Sequence, residues 1–213
     1  MRSGALCAAA ILAAVFAATA QASDARPVTA RDRALLARPA TYEETIAQQV
    51  AHRLTGHNAS VRCGSLGTDN PLALGATPLQ NGRSFDYFLM LPSQCTYLSW
   101  FHQQPARWDP RTCVGSDCDR VESIAMALAV VSHESYHVLG YTNEAQVECY
   151  GMQSIWFVAN KLGASVSEAQ AIAQLYATDM YPLRRTQTPQ YWSAQCRDGG
   201  KYDLRRSLAR WPS

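Results

Sequence analysis

Residues 130–140 restrict the possible folds of this chain most, because they place three reactive side chains at a helical spacing. His133 and His137 are four residues apart, so in a helix they lie on one face, one turn from each other. Two imidazoles so placed can bind one metal ion, and Glu134 lies beside them. This is the H-E-x-x-H pattern, in which the histidines bind Zn²⁺ and the glutamate is the general base.

The residues around this pattern predict a buried helix. Asp119 and Glu122 have the spacing of a capping box, so we predict that the helix begins there. Residues 121–139 contain neither Gly nor Pro and are apolar almost all round, which is typical of a core helix, and Gly140 ends it. The alternative is a core helix whose histidines only form hydrogen bonds and whose Glu134 pairs with an arginine, although burying these groups without a ligand is costly.

A second helix is predicted directly after the first. Asn143 and Gln146 have the spacing of another capping box, and Gly163 marks the end of the helix. Only residues 140–142 connect the two helices, so we expect them to pack antiparallel.

This arrangement supplies two candidates for a third metal ligand, which catalytic zinc sites usually take from the protein. Glu144 lies in the first turn of the second helix and is therefore expected level with His137. Glu148 lies one turn further and is expected level with His133.

The two predicted helices resemble those of the zincin metallopeptidases, which share a helix with two zinc-binding histidines and a catalytic glutamate. The resemblance covers about residues 119–162. Asn143-Glu144 followed by Glu148 is similar to the N-E-x-x-x-D motif of the gluzincin branch, in which the first acid binds zinc and the second orients a histidine. The resemblance implies that Glu144 binds zinc and that Glu148 holds His133. The second acid here is Glu instead of Asp, which leaves the two roles exchangeable.

The N-terminal residues predict export. Arg2, the apolar residues 5–20 and the small-residue pattern Ala20-Gln21-Ala22 are typical of a signal peptide that covers residues 1–22. An uncleaved anchor is the alternative, but about 16 apolar residues are short for a membrane span, and no later stretch is apolar enough. Residues 23–40 are rich in Ala, Arg and Pro and predict a flexible arm, whereas residues 41–213 have the length of a single domain.

Six cysteines follow the predicted signal peptide, and an even number in an exported chain indicates disulfides. Six cysteines allow fifteen pairings. We predict the pairs Cys63 with Cys95, Cys113 with Cys118, and Cys149 with Cys196. A cysteine-rich zinc site is the rival interpretation, but the chain has no C-x-x-C spacing.

Turn signals dominate residues 57–118, where no helix is indicated. Asn81-Gly82 predicts a tight turn that joins a strand at residues 72–79 to a second strand at residues 85–91. The zincin resemblance implies that a strand beside the metal-site helix binds an extended peptide along its edge.

Two further helices complete the predicted fold. Thr41 with Glu44, and Ser165 with Glu168, have the spacing of capping boxes, the first helix reaching about residue 54 and the second about residue 181. We therefore predict an α+β fold with a mostly helical zincin-like core around the active-site helix pair and a small disulfide-stabilised β segment.

Charge and motif together favour one function over others. The net charge is only +2 and no dense Lys/Arg stripe occurs, which argues against a nucleic-acid partner. We predict an exported zinc-dependent metallopeptidase that acts on a peptide or protein substrate, with Glu134 as general base. Candidate oxyanion stabilisers are Tyr136, Tyr141, Tyr150, Tyr176, Tyr181 and His102. The alternatives are a non-enzymatic exported domain with a structural zinc site and a disulfide-framed interaction module.

Overall fold

The computed structural model describes residues 27–68, 70–204 and 210–212, so the predicted signal peptide lies outside the described part. The α-helices are α1 (Ala30–Ala37), α2 (Tyr42–Thr55), α3 (Pro92–Gln103), α4 (Ser116–Val138), α5 (Glu144–Lys161), α6 (Val166–Leu175) and α7 (Arg184–Gln187). The strands are β1 (Ser60–Cys63), β2 (Gly75–Ala76), β3 (Leu79–Gln80), β4 (Arg83–Ser84) and β5 (Tyr87–Met90). The fold is therefore α+β and mostly helical.

Helix α4 is the central element, and α2, α3, α5 and α6 all pack against it. Its apolar side chains Ile124, Leu128 and Val131 have no exposed surface, as expected from the apolar pattern of residues 121–139. The helix begins earlier than the predicted capping box at Asp119. Its N-cap is Gly115, whose positive φ of 57° turns the chain from the short Cys113–Cys118 loop into the helix.

The α4–α5 hairpin forms as the short connection predicts. Gly140 has a positive φ of 91°, and the Asn143 side chain accepts the Gln146 N–H at 2.9 Å to start α5. Gly151 lets α5 approach α4 closely, because a Cβ added there would lie 3.1 Å from the backbone nitrogen of His133. The two helices therefore meet at the turn of α4 that carries the first histidine.

The other predicted helix starts are confirmed. Two of the four predicted capping boxes form completely, one between Thr41 and Glu44 at the start of α2 and one between Ser165 and Glu168 at the start of α6. Helix α6 ends at Leu175, short of the predicted end near residue 181, because the backbone widens there into a π-helical segment, Tyr176–Met180.

The sheet is smaller and more interrupted than predicted. β5 is its central strand, with β1 parallel on one side and β2 antiparallel on the other. The Asn81-Gly82 turn does form, with φ of 54° and 74°, but it joins only the two-residue strands β3 and β4. β2 stops before Thr77, whose side chain bonds to α4 instead of continuing a long strand.

Two helices of eight residues or more lie where none is predicted. Residues 92–103 form α3, which opens with Pro92 at a position where proline is favoured. Residues 30–37, in the stretch predicted as a flexible arm, form α1, which starts with a capping box between Thr29 and Asp32. Arg62 of β1 donates to the Leu35 carbonyl at 3.0 Å, which attaches α1 to the sheet.

Three disulfides join elements that are distant in sequence or close a short loop. They are Cys63–Cys95, Cys113–Cys118 and Cys149–Cys196, which are the pairs predicted from the sequence. The last one attaches the C-terminal segment to α5. Such bonds are typical of proteins that fold in an oxidising compartment.

Among the described residues, no helix is both long enough and apolar enough to span a lipid bilayer.

Removing a disulfide is expected to destabilise the fold more when the bond encloses a longer stretch of chain, with a logarithmic dependence on its length. The sequence separations are 47 residues for Cys149–Cys196 and 5 for Cys113–Cys118. Loop-closure entropy then predicts losses of about 4 and about 2 kcal/mol for the paired alanine variants C149A/C196A and C113A/C118A. Equilibrium urea unfolding of the metal-free proteins measures both, and an equal or larger loss for C113A/C118A would contradict the prediction.

Candidate metal centre

The donor atoms of His133, His137 and Glu144 converge on one point between α4 and α5. The Nε2 atoms of the two histidines are 3.0 Å apart, and they lie 3.1 and 3.3 Å from Oε2 of Glu144. The side chains of all three residues are at most 7% exposed. A triangle of one oxygen and two nitrogens is thus enclosed in the protein interior.

The dimensions of this triangle fit a zinc ion. Zinc bonds to imidazole nitrogen and carboxylate oxygen are about 2.0–2.2 Å long, so tetrahedral geometry separates two ligand atoms by about 3.3 Å or slightly more. The observed separations of 3.0–3.3 Å are close to this value. Two imidazoles and a carboxylate are also the ligand set of many catalytic zinc sites.

Hydrogen bonds on the far side of each ring orient the two histidines. His133 Nδ1 donates to Oε2 of Glu148 at 2.9 Å, and His137 Nδ1 donates to the carbonyl oxygen of Tyr141 at 2.7 Å. With the proton on Nδ1, the Nε2 lone pair of each ring points toward the common centre. This is the second layer of contacts that metal-binding histidines usually have.

The structure places the two acids of α5 on different sides of His133. Glu144 lies with the Nε2 atoms, in the ligand position, whereas Glu148 contacts Nδ1 on the opposite edge of the ring. The residue spacing alone leaves these two roles exchangeable. The roles differ in the structure because the two acids are one helical turn apart on α5 and therefore contact different nitrogen atoms of the His133 ring.

Burial and charge shift the pKa values of these groups in a consistent direction. Burial acts to raise the pKa of Glu144, but the contacts with the rings of His133 and His137 outweigh it and hold this pKa far below its ordinary value. Burial also opposes the shift at Glu148, where the charge of Arg184 and the bond from His133 lower the pKa to about 2. Both carboxylates are therefore charged at neutral pH and able to act as ligand or acceptor.

His133 has the complementary shift. Burial acts to lower its pKa, but hydrogen bonds to Glu144 and Glu148 raise the pKa well above its ordinary value. These contacts favour a second proton on His133, at Nε2, and a metal ion at the centre must displace it. Metal affinity is then expected to fall as the pH is lowered.

Glu134 lies next to this centre and is held from the side of the sheet. Its Oε2 accepts the hydroxyl of buried Thr77 at 2.7 Å. Gly75 leaves the room for it, because a Cβ at Gly75 would lie 2.6 Å from Oε1 of Glu134 and 2.9 Å from a methyl carbon of Val130. The residues just after and within β2 thus set the position of the carboxylate.

A cavity opens beside His133 and Glu134, between β2 and the C-terminal segment. Its lining includes Leu74 and Gly75 from the sheet region and Arg184, Thr188 and Tyr191 from the C-terminal segment. The ring centre of Tyr191 lies 5.6 Å from that of His133. Neither these C-terminal residues nor Thr77 carry a motif, so sequence reasoning missed them, and only the fold brings them to the site.

The six predicted oxyanion stabilisers are all described, and Tyr176 is the one among them that lines the cavity. Its hydroxyl is directed to Glu148. The other candidates are engaged elsewhere. The Tyr136 hydroxyl bonds to Ser154, Tyr150 bonds to Gln146, Tyr181 bonds to Ser193, His102 bonds to the Leu162 carbonyl, and the Tyr141 ring packs on the rings of Tyr136 and Tyr150.

Comparisons with family models, with curated proteins and with solved structures found no match for this chain.

Zinc binding tests the centre directly. The purified protein is expected to bind one Zn²⁺ per chain at pH about 7.5 and to bind it more weakly at pH about 5.5, because the ion competes with the proton on His133. His137→Ala should lower the affinity by more than about 100-fold, beyond the loss typical of an outer contact. Competition titration with a chromophoric chelator measures both effects.

The matched control for this titration is His52→Ala. His52 is exposed on α2, where its Nδ1 contacts the carbonyl of His57. A loss of zinc on this change, or full retention on His137→Ala, would contradict the assignment.

Proposed function

We propose that this chain is an exported zinc-dependent metallopeptidase that hydrolyses peptide bonds with Glu134 as general base. The observation that supports it best is the combination of three convergent donor atoms with the positioned carboxylate of Glu134, which lines a cavity together with one of the three donors, His133. A site that only stabilises a fold needs the ligands but has no use for the carboxylate.

His133, His137 and Glu144 would hold the zinc ion. Three protein ligands leave a fourth position for water or substrate, whereas structural zinc sites usually have four protein ligands. When bound, zinc supplies Lewis acidity, which makes a water acidic near neutral pH and polarises a substrate carbonyl.

Glu134 provides the proton transfers in this proposal. Its carboxylate takes a proton from the water that attacks the carbonyl carbon, as the new C–O bond forms. It then delivers that proton to the amide nitrogen as the C–N bond breaks and the amine leaves. The Thr77 hydroxyl donates to Oε2 and restricts the position of this carboxylate.

The edge of the sheet offers a place for the substrate backbone. β2 is an edge strand of the three-stranded sheet, and Leu91 N–H donates to the Leu74 carbonyl in the register that aligns Gly75 with Met90. By the alternation of antiparallel bonds, the N–H and C=O of Gly75 then point away from β5, on the side of the cavity. An extended peptide can bond to them as an added strand, close to Glu134.

The disulfides support the exported location in this proposal. Three disulfides favour an oxidising location, in agreement with the export signal expected at residues 1–22. The proposed substrates are therefore peptides or proteins outside the cytosol.

The low exposure of the ligands favours a second candidate, a non-enzymatic exported domain in which the metal holds α4 and α5 together. The side chain of His137 is only 3% exposed and that of Glu144 5%. This candidate assigns no function to Glu134, and that residue therefore separates the two proposals.

Glu134→Gln is expected to abolish peptide hydrolysis while leaving zinc content unchanged. The amide keeps the size of the side chain but cannot accept the proton, so the loss in kcat should be at least about 100-fold. Hydrolysis of a broad peptide library and zinc content are measured on the same preparations. A wild-type protein that binds zinc stoichiometrically and cleaves no peptide would favour the structural candidate.

Gly75→Ala tests the position of the base independently. The added Cβ would displace the Glu134 carboxylate, so hydrolysis should fall by at least about 10-fold while zinc binding persists. Gly64→Ala is the matched control, because its Cβ would meet only Leu35 side-chain atoms at ordinary distances of 3.6 Å or more. Equal rates in the two variants would refute the role given to Gly75.

A further inference from the structure

A chain of hydrogen bonds continues outward from His133 beyond Glu148. The Oε2 atom of Glu148 accepts the His133 Nδ1–H, and its Oε1 atom accepts two donors, the Tyr176 hydroxyl and Nε of Arg184 at 3.0 Å. The Arg184 guanidinium also donates to the Tyr176 oxygen at 3.2 Å. Every acceptor atom of this buried carboxylate thus has a defined partner.

These partners come from parts of the chain that are remote from the metal-site helices. Tyr176 is fully buried and opens the π-helical segment that follows α6, and Arg184 is the first residue of α7. Single π-helical turns inside helical regions are frequent at functional sites. Here the first residue of the π turn, Tyr176, donates its hydroxyl to the Glu148 carboxylate.

The charge of Glu148 requires such partners. A carboxylate that is 4% exposed and lies beside a metal-binding histidine is costly to bury without a positive group and without hydrogen bonds to both oxygens. Arg184 supplies the positive charge, and Tyr176 supplies the second hydrogen bond to Oε1. Without them the carboxylate would gain by rotating toward solvent and away from His133.

We infer that Tyr176 and Arg184 are positioning residues of the metal centre, which hold the Glu148 carboxylate by one oxygen so that its other oxygen fixes the ring of His133. This inference rests on the proposed metal site. The two residues contact the Glu148 carboxylate, and they act through it.

The test is zinc affinity of the full chain, measured by competition with a chromophoric chelator and without substrate. Tyr176→Phe removes one hydroxyl and should weaken zinc binding by about 10-fold, and Arg184→Met, which also removes the charge, by about 10- to 100-fold. Arg184→Lys keeps the charge but loses the fork of donors, so its affinity should lie between those of Arg184→Met and wild type.

A double-mutant cycle shows whether Tyr176 acts through Glu148. In a Glu148→Gln background, Tyr176→Phe should change the zinc affinity by less than about 2-fold, because the group that it positions is already altered. Tyr181→Phe is the matched control, since it removes a nearby hydroxyl that bonds to Ser193 and should leave zinc affinity unchanged. The visible spectrum of the Co²⁺-loaded variants reports the ligand geometry directly.

Three results would overturn the inference. Wild-type affinity in both Tyr176→Phe and Arg184→Met would remove the positioning role while the proposed function stands. An equal loss from Tyr176→Phe in both backgrounds would mean that Tyr176 acts elsewhere. A wild-type chain that binds no zinc would overturn both this inference and the proposed function, so the zinc affinity of the wild-type chain is measured first.

Urea unfolding of the metal-free variants distinguishes a loss of zinc affinity from a loss of folding. If Tyr176→Phe does not fold, Arg184→Lys is the variant that tests the inference.

Discussion

The close approach of α5 to α4 at Gly151 is the contact on which the candidate site depends. A side chain at Gly151 would press on the backbone of His133 and force the helices apart by a few tenths of an ångström. The ligand atoms are separated by only 3.0–3.3 Å, and zinc bond lengths vary by about 0.2 Å at most between well-formed sites. The backbone packing therefore sets the geometry of the centre, and the side chains have little freedom to correct it.

The balance of buried charge explains why this packing suits a divalent cation. Glu144 and Glu148 are buried carboxylates that contact His133, Glu134 is a third buried carboxylate nearby, and Arg184 contacts Glu148. A divalent cation held by Glu144 would offset negative charge in this buried cluster. Buried charges are tolerated when they are paired or coordinate a metal, so the composition of the site itself favours an ion at the centre of the triangle.

The parts of the structure that depend on local hydrogen bonds could be predicted from the sequence, and those that depend on tertiary contacts could not. The caps at Thr41, Asn143 and Ser165 are formed within four residues, so their spacing was sufficient. The H-E-x-x-H spacing likewise brought its histidines together on one face. Helix α3 was missed because its buried face includes the polar residues Gln94 and Ser99, so burial repeats at the helical spacing but hydrophobicity does not. Tyr176 and Arg184 were missed because they lie 28 and 36 residues from Glu148.

The C-terminal segment shows how the covalent structure contributes to the site. The segment that contains Arg184, Thr188 and Tyr191 lines the cavity. The disulfide between Cys149 and Cys196 anchors this segment to α5. Cys149 directly follows Glu148, so the anchor lies at the helical turn whose carboxylate holds His133. The disulfide reduces the conformations open to the unattached segment and thereby lowers the entropy lost when Arg184 docks on Glu148. Formation of this disulfide therefore favours the docking of Arg184 on Glu148, and through Glu148 it favours the orientation of the candidate metal ligand His133.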